Sequence, residues 1–207
     1  EPRHRSLKPQ RRGMLVTVTD DRPPAIASLE RLRASLADPG LSLPLEEAVA
    51  ILTGGGILAV KGLGGYHLAC DATDAAAVER LRTRKHREEK PLAVMTDDPL
   101  KLAWLDEGER ELLSSPARPI VIVRRRPDGP LASAVAPGSP WVGLLLPYTP
   151  LHHLLLHDAG RPLVLTSGNL TDEPIAIDDA DATRRLGGVA DAILAHDRPI
   201  HRRCEDS

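Results

Sequence analysis

A chain of 207 residues with 42% hydrophobic side chains can bury a substantial core, but it has no phenylalanine and only two tryptophans and two tyrosines. That scarcity excludes a base-stacking surface, and 27 Lys+Arg against 29 Asp+Glu excludes the global basic charge of a dedicated nucleic-acid binder. Any affinity for phosphate must therefore be local.

In chain order, residues 1–12 form a basic lead, and 14–19 have strand composition ahead of Pro23-Pro24. Helical spacing follows at 25–37 and at 44–53, the second entered by Pro44 with Glu46 and Glu47 in its first turn and closed by Gly54-Gly55-Gly56. Short apolar strands are expected at 56–60 and 66–70, a helix at 75–85 and a strand at 91–95. Helical stretches near 99–114 lead to a strand at 120–123, a Pro/Gly-rich loop at 127–141 and a strand at 142–146. A helix near 150–158, a strand at 163–166, a helix at 179–186 and a strand at 191–195 complete an alternating α/β pattern. The reading divides the chain into a lead, 1–43, with no legible role and one α/β domain, 44–207. Cys70 and Cys204 stand far apart in unlike contexts and give neither a disulfide framework nor a metal spacing. With no apolar run of membrane length and no secretory leader, the expectation is a soluble, cytoplasmic protein with reduced thiols and no membrane partner.

Four local patterns carry chemistry. Thr83-Arg-Lys-His-Arg-Glu-Glu-Lys90 sets a run of cations before the apolar Pro91–Met95, which suits either a solvated helix end or a phosphate clamp. Lys61-Gly-Leu-Gly-Gly65 joins two strands and lacks the helix that a phosphate loop requires, so a plain turn is the simpler reading. His152, His153 and His157 contain a four-residue imidazole spacing but no partner Glu and no third ligand, which favours structural histidines over a metal site. The strand Leu163–Thr166 ends abruptly in Ser167-Gly168-Asn169, hydrogen-bonding groups at the strand end where α/β folds bind ligands.

Taken together, KGLGGYHLACDA (61–72), RKHREEKPLAVM (84–95), SPARPIVIV (115–123), VGLLLPYTPLHHLLL (142–156), LTSGNLTDEPI (165–175) and HDRPIHRRCEDS (196–207) resemble the YrdC-type domain of the HypF carbamoyltransferases of nickel–iron hydrogenase maturation. The resemblance implies a YrdC-like α/β fold of three-layer α+β type: a twisted mixed β-sheet with helices on both faces. It implies that Lys85 and Arg87, with Ser167 and Asn169, serve ATP phosphates and an acyl-adenylate. Lys61, His67, Lys90, Arg118, Thr166 and Ser207 are then nucleotide- or carbamoyl-binding, with Lys61 and His67 at the carbamoyl end. Glu205-Asp206-Ser207 resembles the start of the family's later phosphate-contacting serine motif, inside which the sequence stops, as an excised domain would. The implied reaction is formation of carbamoyl-adenylate from ATP, with Mg²⁺ arriving on the nucleotide, and carbamate derived from carbamoyl phosphate. The implied partners are the remaining domains of a parent enzyme and the downstream acceptor HypE. Two rival expectations are a threonylcarbamoyl-AMP synthase for tRNA, disfavoured by the hydroxyl-free turn 62–65, and a module that binds double-stranded RNA weakly.

Overall fold

The computed structural model describes residues 41–87, 89–170 and 173–204. The elements expected at 14–19 and 25–37, and Ser207, lie outside the described residues. Helix α1 (Leu45–Thr53) leads into strands β1 (Leu58–Lys61) and β2 (Tyr66–Asp71), then α2 (Ala75–Lys85) and β3 (Val94–Met95). A 3-10 turn at Pro99–Lys101 precedes β4 (Ala103–Trp104), α3 (Glu107–Ser114) and β5 (Val121–Arg125). After a second 3-10 turn, Ser133–Val135, come β6 (Trp141–Leu145), α4 (Pro150–Ala159), β7 (Leu163–Ser167), α5 (Asp179–Leu186) and β8 (Ala192–Leu194).

The strands make one eight-stranded sheet in the order β4-β5-β6-β3-β7-β2-β1-β8. β1–β8 and β3–β6 are parallel, whereas β1–β2, β2–β7 and β3–β7 are antiparallel, so the sheet is mixed as expected. Period-two alternation sends Tyr66, Leu68 and Cys70 to one face with Ala59, Val94 and Leu144, where α2 packs Ala77, Val78 and Leu81 and α5 packs Ala182 and Leu186. The other face carries Val60, Ala69, Met95 and Leu165 beneath Ala48 and Leu52 of α1 and Leu151, Leu154 and Leu155 of α4. Helices therefore cover both faces.

Helix starts follow from side-chain caps. Asp74 accepts from the N–H groups of Ala76 and Ala77, Thr149 from His152, and Asp178 from Asp181, while Asp106 and Glu109 form a reciprocal capping box. That box divides the stretch expected to be helical over 99–114, and β4 occupies the gap. The strand expected at 91–95 shrinks to Val94–Met95 because Pro91 has no N–H and Leu92 donates to the Val135 carbonyl instead of to a neighbouring strand. Likewise Gly56 and Ile57 sit outside β1, their N–H groups taken by the Ile51 carbonyl and the Asp191 carboxylate. Leu41 forms a bridge with His196, and Leu41 and Leu43 pack against the core beneath α1 and α4. Among the described residues no helix is long and apolar enough to cross a membrane.

Leu144 is fully buried between β5 and β3, facing Val121 and Val94. Leu144→Ala is expected to cost about 2–5 kcal/mol, the range for a truncated core leucine. A lower denaturant midpoint at unchanged slope is the result to look for.

Candidate active site

The end of β7 and the end of α2 meet at one place. Lys85 is the last residue of α2, and its ammonium, 2% exposed, reaches the Ser167 carbonyl at 2.6 Å, the Asn169 carbonyl at 2.6 Å and Asn169 Oδ1 at 2.7 Å. Ser167 Oγ donates to the same Oδ1 at 2.7 Å, and Asn169 Nδ2 donates to the Glu173 carbonyl at 2.6 Å. Burial, reinforced by the nearby positive charge of Arg87, pushes the Lys85 amine down to about 8. It remains mostly charged at neutral pH. Between the two side chains Gly168 has no room for a larger residue: a methyl group there would stand 2.5 Å from the Tyr66 carbonyl oxygen, which accepts the Gly168 N–H at 2.7 Å.

His86, in the left-handed region at φ 53°, ends α2 and turns the chain so that Arg87 follows on the far side of the helix terminus. Arg87 Nη2 donates to the Pro91 carbonyl at 3.0 Å, while its buried Nε has no partner among the described residues. The other cations of the run separate from this pair. Arg84 is committed to Asp191 at 2.7 Å and to the Val189 carbonyl. Lys90 is exposed, and its carbonyl accepts from Arg82 at 3.2 Å. Arg82 was not singled out from the sequence, yet it is buried and its guanidinium ties the carbonyls of Arg87, Lys90, Ala134 and Val135. It ties Arg87 and Lys90 to the turn at 134–135.

A cleft of about 760 Å³ opens on the α4 face, lined by Leu63, Gly64, His67, the 116–120 loop, Leu145, Pro147, Tyr148, His153, Leu165 and Cys204. That volume suits a small-molecule ligand. Of the expected site residues, His67 and Arg118 line it, Arg118 from a left-handed turn at φ 47°. Ser167 pairs directly with His67 across β7 and β2, which puts both side chains on the cleft's face, although Lys85, Ser167 and Asn169 are not themselves among the residues that line it. Two expected members turn away. Lys61 pairs with Tyr66, on the opposite face from His67, and its ammonium is held by Asp179 at 2.7 Å and the His196 carbonyl at 2.9 Å. Thr166 likewise alternates away from Ser167 and is buried against Leu68. Lys61 and His67 therefore do not share one carbamoyl end. Tyr148, Cys204 and the neighbours of Arg118 in the 116–120 loop, which the sequence reading gave no individual role, also line the cleft. His153 also lines it, whereas His157 is exposed and pairs with Asp158. Among the described residues no three acidic, imidazole or thiol groups converge as a metal cage.

A family model for Sua5, YciO and YrdC proteins, described as telomere recombination, matches residues 50–207. The chain belongs to the Sua5/YciO/YrdC family. Within this family it is 51% identical to the carbamoyltransferase HypF2 of Cupriavidus necator over 183 residues and 52% identical to the carbamoyltransferase HypF of Synechocystis over 169, covering 79% of this chain in each case. It spans only 23% and 22% of those two proteins. A full-length HypF solved in a phosphate- and nucleotide-bound form superposes with a TM-score of 0.76 at 39% identity, covering 79% of this chain and 26% of that one. A smaller Sua5/YciO/YrdC relative, the threonylcarbamoyl-AMP synthase of Stenotrophomonas maltophilia, is 32% identical over 162 residues, 73% of this chain and 86% of that protein. The chain thus corresponds to the YrdC-like module of HypF.

The knot has a pH signature. Native Lys85 releases its proton near pH 8 and the unfolded chain near the ordinary lysine value of 10.5. Between these the unfolded state binds more protons, so this group makes stability rise with pH across that window. The stability difference between the wild type and Lys85→Met is expected to grow in favour of the wild type from pH 7.5 to pH 10. Parallel pH curves from denaturant titration would contradict this.

Proposed function

We propose that the chain is the adenylate-forming module of a HypF carbamoyltransferase, making carbamoyl-adenylate for the cyanide ligands of nickel–iron hydrogenase. The observation that carries this reading is the convergence of Lys85 on Ser167 and Asn169 at the end of β7, one strand pairing from His67 in the cleft. Its support is the roughly half identity to HypF proteins noted above. In this reading a carbamate oxygen attacks the α-phosphorus of ATP, the bond to the bridging oxygen breaks, and pyrophosphate leaves with the electron pair.

Such a displacement is accelerated chiefly by placing anions and stabilising charge, so the roles are electrostatic. The Lys85 ammonium holds the strand-end turn in one conformation and lends it positive potential. To meet the α-phosphate Ser167 Oγ turns its proton away from Asn169 Oδ1, the second Nδ2 proton of Asn169 is the one its bond to the Glu173 carbonyl leaves over, and Arg87 offers the donors its local contact leaves over. Arg118 supplies charge from the cleft's other rim, and Lys90, exposed, can swing toward outer phosphates. Magnesium enters as the nucleotide's own chelate, and no protein step is assigned to it. HypE and the remaining domains of a parent enzyme are partners within the same proposal, the carbamate being drawn from carbamoyl phosphate outside this module.

The threonylcarbamoyl-AMP alternative is favoured by the Stenotrophomonas relative, and product identity separates the two. After incubation with ATP, carbamoyl phosphate, bicarbonate and threonine together, mass spectrometry of the released ligand is expected to show carbamoyl-adenylate. Predominance of threonylcarbamoyl-adenylate would overturn the assignment. Arg87→Ala should weaken binding of an ATP analogue by about 1.5–3 kcal/mol in calorimetric titration, the range for charge-assisted hydrogen bonds.

A further inference from the structure

Beside the phosphate end, three rings are fixed against one another. His67 projects from β2 into the cleft, and its Nε2 lies 3.1 Å from the Tyr148 hydroxyl. The ring of Tyr148 stands edge-on to His152, with centroids 4.5 Å apart at 88°, and His152 is edge-on to His67 at 6.3 Å and 73°. His152 is completely buried on the first turn of α4, and neither ring nitrogen has a hydrogen-bond partner among the described residues. A buried imidazole that makes no hydrogen bond is costly to keep and calls for a reason beyond filling space. Burial also pushes it down to about 3, so it is a neutral wedge.

The turn after β1 is shaped by the same ring. A methyl group on Gly62 would lie 2.8 Å from both Cδ2 and Nε2 of His67. The turn is glycine at that point because the imidazole fills the space a side chain would take. An acyl group attached to a phosphate held at Ser167 must lie against the residue paired with Ser167, and that residue is His67.

We propose that His67, Tyr148 and His152 form the specificity wall of the acyl pocket, admitting an unsubstituted carbamoyl group and excluding an N-substituted one. This rests on the adenylate reading above. The His67 ring touches the acyl group, Tyr148 holds the ring through its hydroxyl, and His152 is a positioning residue that keeps Tyr148 upright. An amino-acid substituent on the carbamoyl nitrogen would need the volume the imidazole occupies.

The test is ATP–pyrophosphate exchange by the 207-residue chain with two acyl sources. Ammonium and bicarbonate lose water to give carbamate; threonine and bicarbonate lose water to give the N-substituted carbamate. Either then displaces pyrophosphate from ATP. Wild type should exchange with the first source and not the second. His67→Gly should move the kcat/KM ratio toward threonine by about 10-fold or more, the scale on which pocket volume discriminates. His152→Ala should raise KM for ammonium bicarbonate while the KM for ATP holds, and His152→Phe, which restores a ring edge, should return it to the wild-type value. An unchanged ratio in a folded His67→Gly chain, or in His67→Ala should the glycine variant not fold, overturns the wall. A wild type that exchanges with neither source overturns the adenylate reading itself, and the wall with it.

Discussion

An ammonium taken out of water is costly unless its protons are matched, and Lys85 solves this with carbonyl and amide oxygens of Ser167 and Asn169. Much of the site follows from that requirement. Two carbonyls separated by a single residue can aim at one ammonium only if the chain turns sharply after β7, and the turn presses Gly168 onto the Tyr66 backbone. Asn169, with its oxygen engaged, spends its N–H group on the Glu173 carbonyl, and Arg185 in turn grips Glu173 at 2.9 Å. On the other side the left-handed His86 releases the chain from α2, and Arg82 collects the carbonyls that this release exposes. The Lys-x-Arg and Ser-x-Asn patterns are thus two halves of one folded unit.

The sheet divides the remaining chemistry by face. Lys61, Tyr66 and Asp179 form a charge-bearing lock on the α5 side, where the Tyr66 hydroxyl donates to Asp179 at 2.7 Å and burial with the carboxylate raises its pKa. His67, Ser167 and the cleft lie on the α4 side. The lock anchors the hairpin whose turn borders the cleft, with the Lys61 ammonium held on the face opposite His67.

The sequence disclosed the site's residue types better than their directions. The strand-end Ser-Gly-Asn and the helix-end cations stood out because small polar groups after an apolar strand, and clustered charge before a core strand, are both unusual locally. What Lys85 would bind was not legible, since its acceptors are mostly backbone carbonyls and carry no side-chain signature. Arg82 was not singled out, although its place one turn before Lys85 puts it on the buried stripe with Val78 and Leu81. The placement of Lys61 and His67 on opposite faces follows from strand alternation and depended only on the hairpin register. The fold pattern was recoverable wherever caps and alternation agreed, as at 179–186, and failed where a proline or a side-chain acceptor withdrew backbone groups from the sheet, as at Pro91 and Ile57.

If the Lys85 knot receives nucleotide phosphate, the arriving anion must raise the amine from its native value of about 8. Calorimetric titration of a non-hydrolysable ATP analogue at pH 8, in buffers of different ionisation enthalpy, counts the protons taken up. The expected result is up to about half a proton more for wild type than for Lys85→Met, the fraction that a group titrating near the working pH has left to gain. Equal proton uptake by the two chains would show that the phosphates bind elsewhere.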